Sequence, residues 1–131
     1  MTFRRPRRLP GCSYRGRHRY LLTLCTAGRS RIFVRSELVS TAIRRIQQSA
    51  DEAEFEILAY CFMPDHLHLV VQGTSDSADL RRFVIVAKQR VAYSLRTEHG
   101  VNRTWQEGYH DWVLRGPNGV EDSIRYVISR T

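Results

Sequence analysis

The residues best suited to chemistry lie in Tyr60-Cys61-Phe62-Met63-Pro64-Asp65-His66-Leu67-His68-Leu69-Val70-Val71. Two histidines stand one residue apart behind a proline and an aspartate. In an extended strand successive side chains alternate faces, so His66 and His68 share one face while Leu67, Leu69 and Val71 share the other. Two imidazoles on one rigid face suit zinc, manganese, iron or nickel, and with added oxygen ligands they also hold magnesium. The chain has no H-E-x-x-H and no paired cysteines, so an open catalytic site is expected rather than a closed zinc site.

The last predicted helix supplies the next candidate. Tyr126 lies on a stretch whose apolar stripe is Val120, Ile124, Val127 and Ile128, on the opposite side from Ile124 and Ile128 and together with Asp122 and Arg130. A tyrosine off the apolar stripe is either a surface ring or a functional hydroxyl. Tyr93 is the rival candidate, beside Arg90 and one turn from Arg96 and Thr97. Tyr109, between Trp105 and Trp112, reads as core or as a base-stacking platform.

Charge points to the partner. The chain has 131 residues with Lys+Arg 21 against Asp+Glu 13, a net charge of +8, and every cation except Lys88 is arginine. Arginine favours bidentate phosphate contacts and stacking, so nucleic acid is the expected partner. Arg81, Arg82, Lys88, Arg90, Arg115 and Arg125 are the cations expected to meet nucleic acid. Three cysteines without C-x-x-C spacing suggest neither a disulfide framework nor a cysteine zinc site, which fits a reducing cytoplasm. No apolar segment follows the basic N-terminus as in a signal peptide, and none approaches the ~20 residues of a membrane span.

These residues need a frame. The length predicts one domain over 1–131, with residues 1–18 as a basic arm. A strand is expected over Tyr20–Thr26, then a helix capped by Ser36 and running to about Asp51. Strands over Phe55–Phe62 and His66–Gln72 flank a Met63-Pro64-Asp65 turn and form an antiparallel hairpin. The longest helix should run from Asp79 to about His99 with Gly100 as C-cap, followed by a strand at Trp112–Arg115 and a terminal helix from near Val120. The order β-α-β-β-α-β describes an α+β, ferredoxin-like (RRM-like) four-stranded antiparallel sheet with helices packed on it, plus a C-terminal helix carrying the tyrosine.

Three blocks carry a family resemblance. Met63-Pro-Asp-His-Leu-His-Leu-Val-Val71 resembles the His-hydrophobic-His signature of the single-tyrosine HUH transposases, the insertion-sequence-200-like group that includes REP-associated tyrosine transposases. Trp105-Gln-Glu-Gly-Tyr-His-Asp-Trp-Val-Leu-Arg115 is similar to that family's Trp-Gln segment, and Ile124-Arg-Tyr-Val-Ile128 to the helix bearing its nucleophile. The resemblance implies that Tyr126 attacks single-stranded hairpin DNA to leave a 5′-phosphotyrosine, with Mg2+ or Mn2+ held by His66 and His68. It also implies a homodimer. Two positions depart from the pattern: Arg130 stands where the family has an Asn or Gln ligand, and Trp112 where it commonly has His. Guanidinium has no lone pair to offer a cation, so either another group such as Asp65 or Glu121 serves as third ligand or the site binds metal poorly. The alternatives are an impaired or truncated relic acting as a nucleic-acid-binding module, and a small metal-dependent hydrolase.

Overall fold

Alternating apolar strands and two amphipathic helices build the frame that positions the histidines. The structure, a computed structural model, describes residues 14–114. Arg115, the terminal helix expected from Val120, Glu121, Arg125, Tyr126, Arg130 and most of the basic arm lie outside the described residues. Strands β1 (Arg19–Cys25), β2 (Phe55–Met63), β3 (His66–Gly73) and β4 (His110–Leu114) form one sheet in the order β2-β3-β1-β4, every neighbouring pair antiparallel. Helices α1 (Ser36–Ala53) and α2 (Leu80–His99) complete the β-α-β-β-α-β order. This is the expected ferredoxin-like arrangement. Among the described residues no helix is long and apolar enough to cross a membrane.

Both helices pack on one face. Tyr20, Leu22 and Leu24 of β1 and Leu67, Leu69 and Val71 of β3 meet Leu38, Ala42 and Ile46 of α1 and Leu80, Phe83, Ala87, Val91 and Leu95 of α2 in a single core. Removing that much apolar surface from water supplies the main stabilisation. The opposite face buries a smaller group, Leu21, Cys61 and Val70, flanked by Leu58, Ala59, Met63 and Leu114.

Element ends follow local chemistry, with some shifts from expectation. Asp79 caps α2 by accepting from the backbone N–H of Arg81 at 3.1 Å and of Arg82 at 3.4 Å. Gly100 ends it at φ 71, and its N–H returns to Arg96 O at 3.1 Å, the closure made by a left-handed residue at a helix end. Ser36 is not the cap of α1: it is the first helical residue, and Arg35 takes the cap position without a side-chain hydrogen bond. The helix ends at Glu54 in a left-handed conformation, its carboxylate accepting from the Ser75 and Ser77 hydroxyls. Strand β1 starts at Arg19 and releases Thr26, which bridges to Trp105, while β4 begins two residues earlier than its sequence pattern suggested.

Candidate active site

The tight Met63-Pro64-Asp65 connection fixes where β3 begins, and strand alternation then sends His66 and His68 to the face away from both helices. Two segments hold that connection. Phe33 N–H donates to Pro64 O at 3.1 Å, Thr26 N–H donates to Asp65 O at 3.0 Å, and the Thr26 hydroxyl lies 3.0 Å from the same carbonyl. The imidazole centroids are 4.8 Å apart with planes at 81°.

Each ring is oriented through its Nδ1. His66 Nδ1 lies 2.7 Å from Asp65 Oδ1, and His68 Nδ1 lies 3.1 Å from Oγ1 of Thr23, its cross-strand partner. The Arg29 guanidinium first, and then the His66 ring, hold the Asp65 carboxyl down at about 2. An ionised carboxylate only accepts, so His66 Nδ1 is the donor and, in the neutral ring, the lone pair sits on Nε2. His68 is 7% exposed, so it is held by packing as well as by Thr23.

Asp65 backs His66 and is not placed to ligate a cation itself. Its Oδ1 faces His66 and its Oδ2 accepts from Arg29 Nε at 3.0 Å. Among the described residues no three His, Cys, Asp or Glu side chains cluster as a metal site. Asp65 as third ligand is therefore corrected to a residue that orients His66. Two imidazoles whose Nδ1 atoms are backed by oxygens have the chemistry to offer two nitrogen ligands to a divalent cation.

The other site candidates fall elsewhere. Tyr93 is 53% exposed on α2, with the Arg96 guanidinium 5.7 Å from its ring centroid. The sheet stands between it and the histidines. Arg81, Arg82, Lys88 and Arg90 share that helix layer. Lys88 Nζ donates to Gln106 O at 2.9 Å and Gly108 O at 2.7 Å, and burial lowers its pKa; it ties the lead-in of β4 to α2. Arg90 is paired with Glu52. Arg81 stacks over Tyr14 at 5.2 Å, and Arg82 is exposed. Tyr109 packs half-buried against the main core, whereas Trp112 is 38% exposed on the histidine side of the sheet.

Sequence spacing missed Thr23, Thr26 and Arg29. Thr23 carried a usable signal, because it lies in phase on the strand that an antiparallel sheet sets beside β3. Arg29 carried none: its contact with Asp65 spans 36 residues.

A sequence model of the family described as IS200-like transposase matches residues 15–128. A solved structure of a REP-associated tyrosine transposase bound to a REP hairpin superposes with a TM-score of 0.77 at 15% identity, covering 95% of this chain and 72% of that one. A candidate transposase from Deinococcus radiodurans R1 gives a TM-score of 0.64 at 20% identity, over 95% and 97% of the two chains. No curated protein matches the sequence.

Proposed function

The chain belongs to the IS200-like transposase family, and within it we propose a metal-dependent enzyme that cuts and rejoins single-stranded hairpin DNA through Tyr126. The observation that carries this reading is the histidine pair, both Nδ1 atoms held by protein oxygens and the rings 4.8 Å apart. Such backing directs Nε2 of His66 and His68 as the ligating atoms for Mg2+ or Mn2+. When bound, the cation would polarise the phosphoryl oxygen and neutralise charge that develops there. A hairpin substrate is suggested by the REP hairpin held in the similar structure.

Tyr126 Oη attacks phosphorus and the P–O3′ bond breaks. The tyrosine is left as a 5′-phosphotyrosine, and the departing oxygen takes up a proton to become a 3′-hydroxyl. A phenol near pKa 10 is a weak nucleophile unless a nearby cation lowers the cost of ionisation, which Arg125 would supply. The apolar group Leu21, Cys61 and Val70 lies on the histidine side of the sheet. Exposed Arg81 and Arg82, with Arg115 and Arg125, are the cations proposed for the DNA backbone, and a homodimer completes the proposal.

Incubation with Mn2+ and labelled hairpin DNA, run on a denaturing gel, tests this. The expected result is a protein–DNA adduct that disappears in Tyr126→Phe while hairpin binding persists. Binding without an adduct at any metal favours the second reading, a nucleic-acid-binding module. That reading draws on Arg130 in place of an amide and on a site with two ligands among the described residues.

A further inference from the structure

We propose that the loop following β1, centred on Arg29, is a positioning device for the metal ligand His66, acting through Asp65. The inference rests on the metal reading above and adds a residue that the ligand motif does not contain.

Three observations point the same way. First, the loop grips Asp65 at both ends of the residue. The backbone N–H and hydroxyl of Thr26 meet the Asp65 carbonyl, each at 3.0 Å, and Arg29 Nε donates to the carboxylate Oδ2 at 3.0 Å. The other carboxylate oxygen then meets His66 Nδ1 at 2.7 Å. Arginine, carboxylate and imidazole thus form a continuous chain ending on the ligand ring, the arrangement by which outer partners fix the orientation and tautomer of a metal-binding histidine.

Second, the loop is itself anchored. Ala27 N–H donates to Thr104 O at 2.9 Å, Arg29 N–H to Thr26 O at 3.1 Å, and Ser30 N–H to Ala27 O at 3.2 Å. The Thr26 hydroxyl also lies 2.7 Å from Ser30 O, and Thr26 is fully buried. A guanidinium mounted on such a frame has little freedom to drift from Asp65.

Third, Arg29 holds a backbone conformation that disfavours it. Its φ is 56, directly after Gly28 at φ 60. A side chain in the left-handed region is strained by its Cβ, a penalty that glycine avoids. The exposed ion pair it forms adds little to folding, since water screens it. Stability alone therefore gives little reason for arginine here, whereas aiming the Asp65 carboxylate does.

Arg29→Gly separates positioning from stability, because it removes the guanidinium and relieves the backbone. Mn2+ binding is followed by electron paramagnetic resonance of the free ion, alongside thermal unfolding of the metal-free protein. The expected result is a ~10- to 100-fold loss of Mn2+ affinity with Tm at or above wild type, and affinity largely kept in Arg29→Lys. Wild-type affinity in Arg29→Gly, or a fall in Tm that accompanies the loss, overturns the proposal. If wild-type protein binds no Mn2+, the metal reading fails, and the imidazole 15N spectrum of metal-free protein decides the positioning. His66 protonated at Nδ1 in wild type but mixed in Arg29→Gly supports it; identical spectra overturn it.

Discussion

The two faces of β3 use the same strand for different ends. On the helix side Leu67, Leu69 and Val71 are at most 1% exposed and bind the sheet to α1 and α2. On the other side His66 and His68 are followed by Val70, so polar groups occupy one end of the face and apolar packing begins one step further on. The contrast extends to the arginines. Arg90 on α2 is spent on Glu52, a tie within the helix layer, while Arg29 is spent on the carboxylate behind a candidate ligand. Similar ion pairs thus serve architecture on one side and a site on the other.

Substitutions should separate the faces. The largest effect is expected for His68→Ala, which should abolish the Mn2+-dependent DNA adduct while the protein stays folded. Leu69→Ala, one residue on, should instead destabilise the fold by about 2–5 kcal/mol in denaturant titration, through lost burial and a cavity. If the two variants behave alike in both assays, the division of faces is wrong. Gly73→Ala comes next, because an added Cβ would sit 2.0 Å from the Gly16 carbonyl oxygen; a loss of about 1–3 kcal/mol is expected as the backbones part.

Smaller effects sharpen the arginine comparison. Arg90→Met should change stability by about 0–1 kcal/mol, as an exposed ion pair does, and leave hairpin affinity within twofold of wild type. A strong, salt-dependent loss of affinity would return Arg90 to the DNA-binding surface. The smallest effect is the pH dependence of Asp65. Its folded pKa, about 2, lies below the unfolded value near 3.9. The contribution is therefore present above about pH 4 and lost as pH falls through about 2. The stability gap between wild type and Asp65→Asn should close over that interval, and a gap constant to pH 2 would contradict the assignment.

Much of this was legible before the structure. The period-two run from Leu67 to Val71 fixes the buried face, and the helical spacing of Leu80, Phe83, Ala87, Val91 and Leu95 fixes α2. Asp79 and Gly100 act as the end signals they resemble. Ser36 misled because a hydroxyl one residue inside a helix looks the same in sequence as one that caps it. The role of Asp65 was hidden for a different reason: carboxylate beside imidazole is compatible with ligation and with support, and only the position of Arg29 decides between them. The α2 cations carried the same ambiguity. Lys88 turns inward to two carbonyls 18 and 20 residues away, and Arg90 reaches Glu52 across 38 residues, distances over which local pattern is silent.

The claim that joins the histidine face to chemistry is that Tyr126 forms the covalent link to DNA. Protein incubated with hairpin DNA and Mn2+, digested with protease and nuclease, and sequenced by mass spectrometry identifies the modified residue. The account predicts a nucleotide remnant on the Tyr126 peptide, absent in His68→Ala. A remnant on the Tyr93 peptide would contradict it, since that ring lies across the sheet from the histidines.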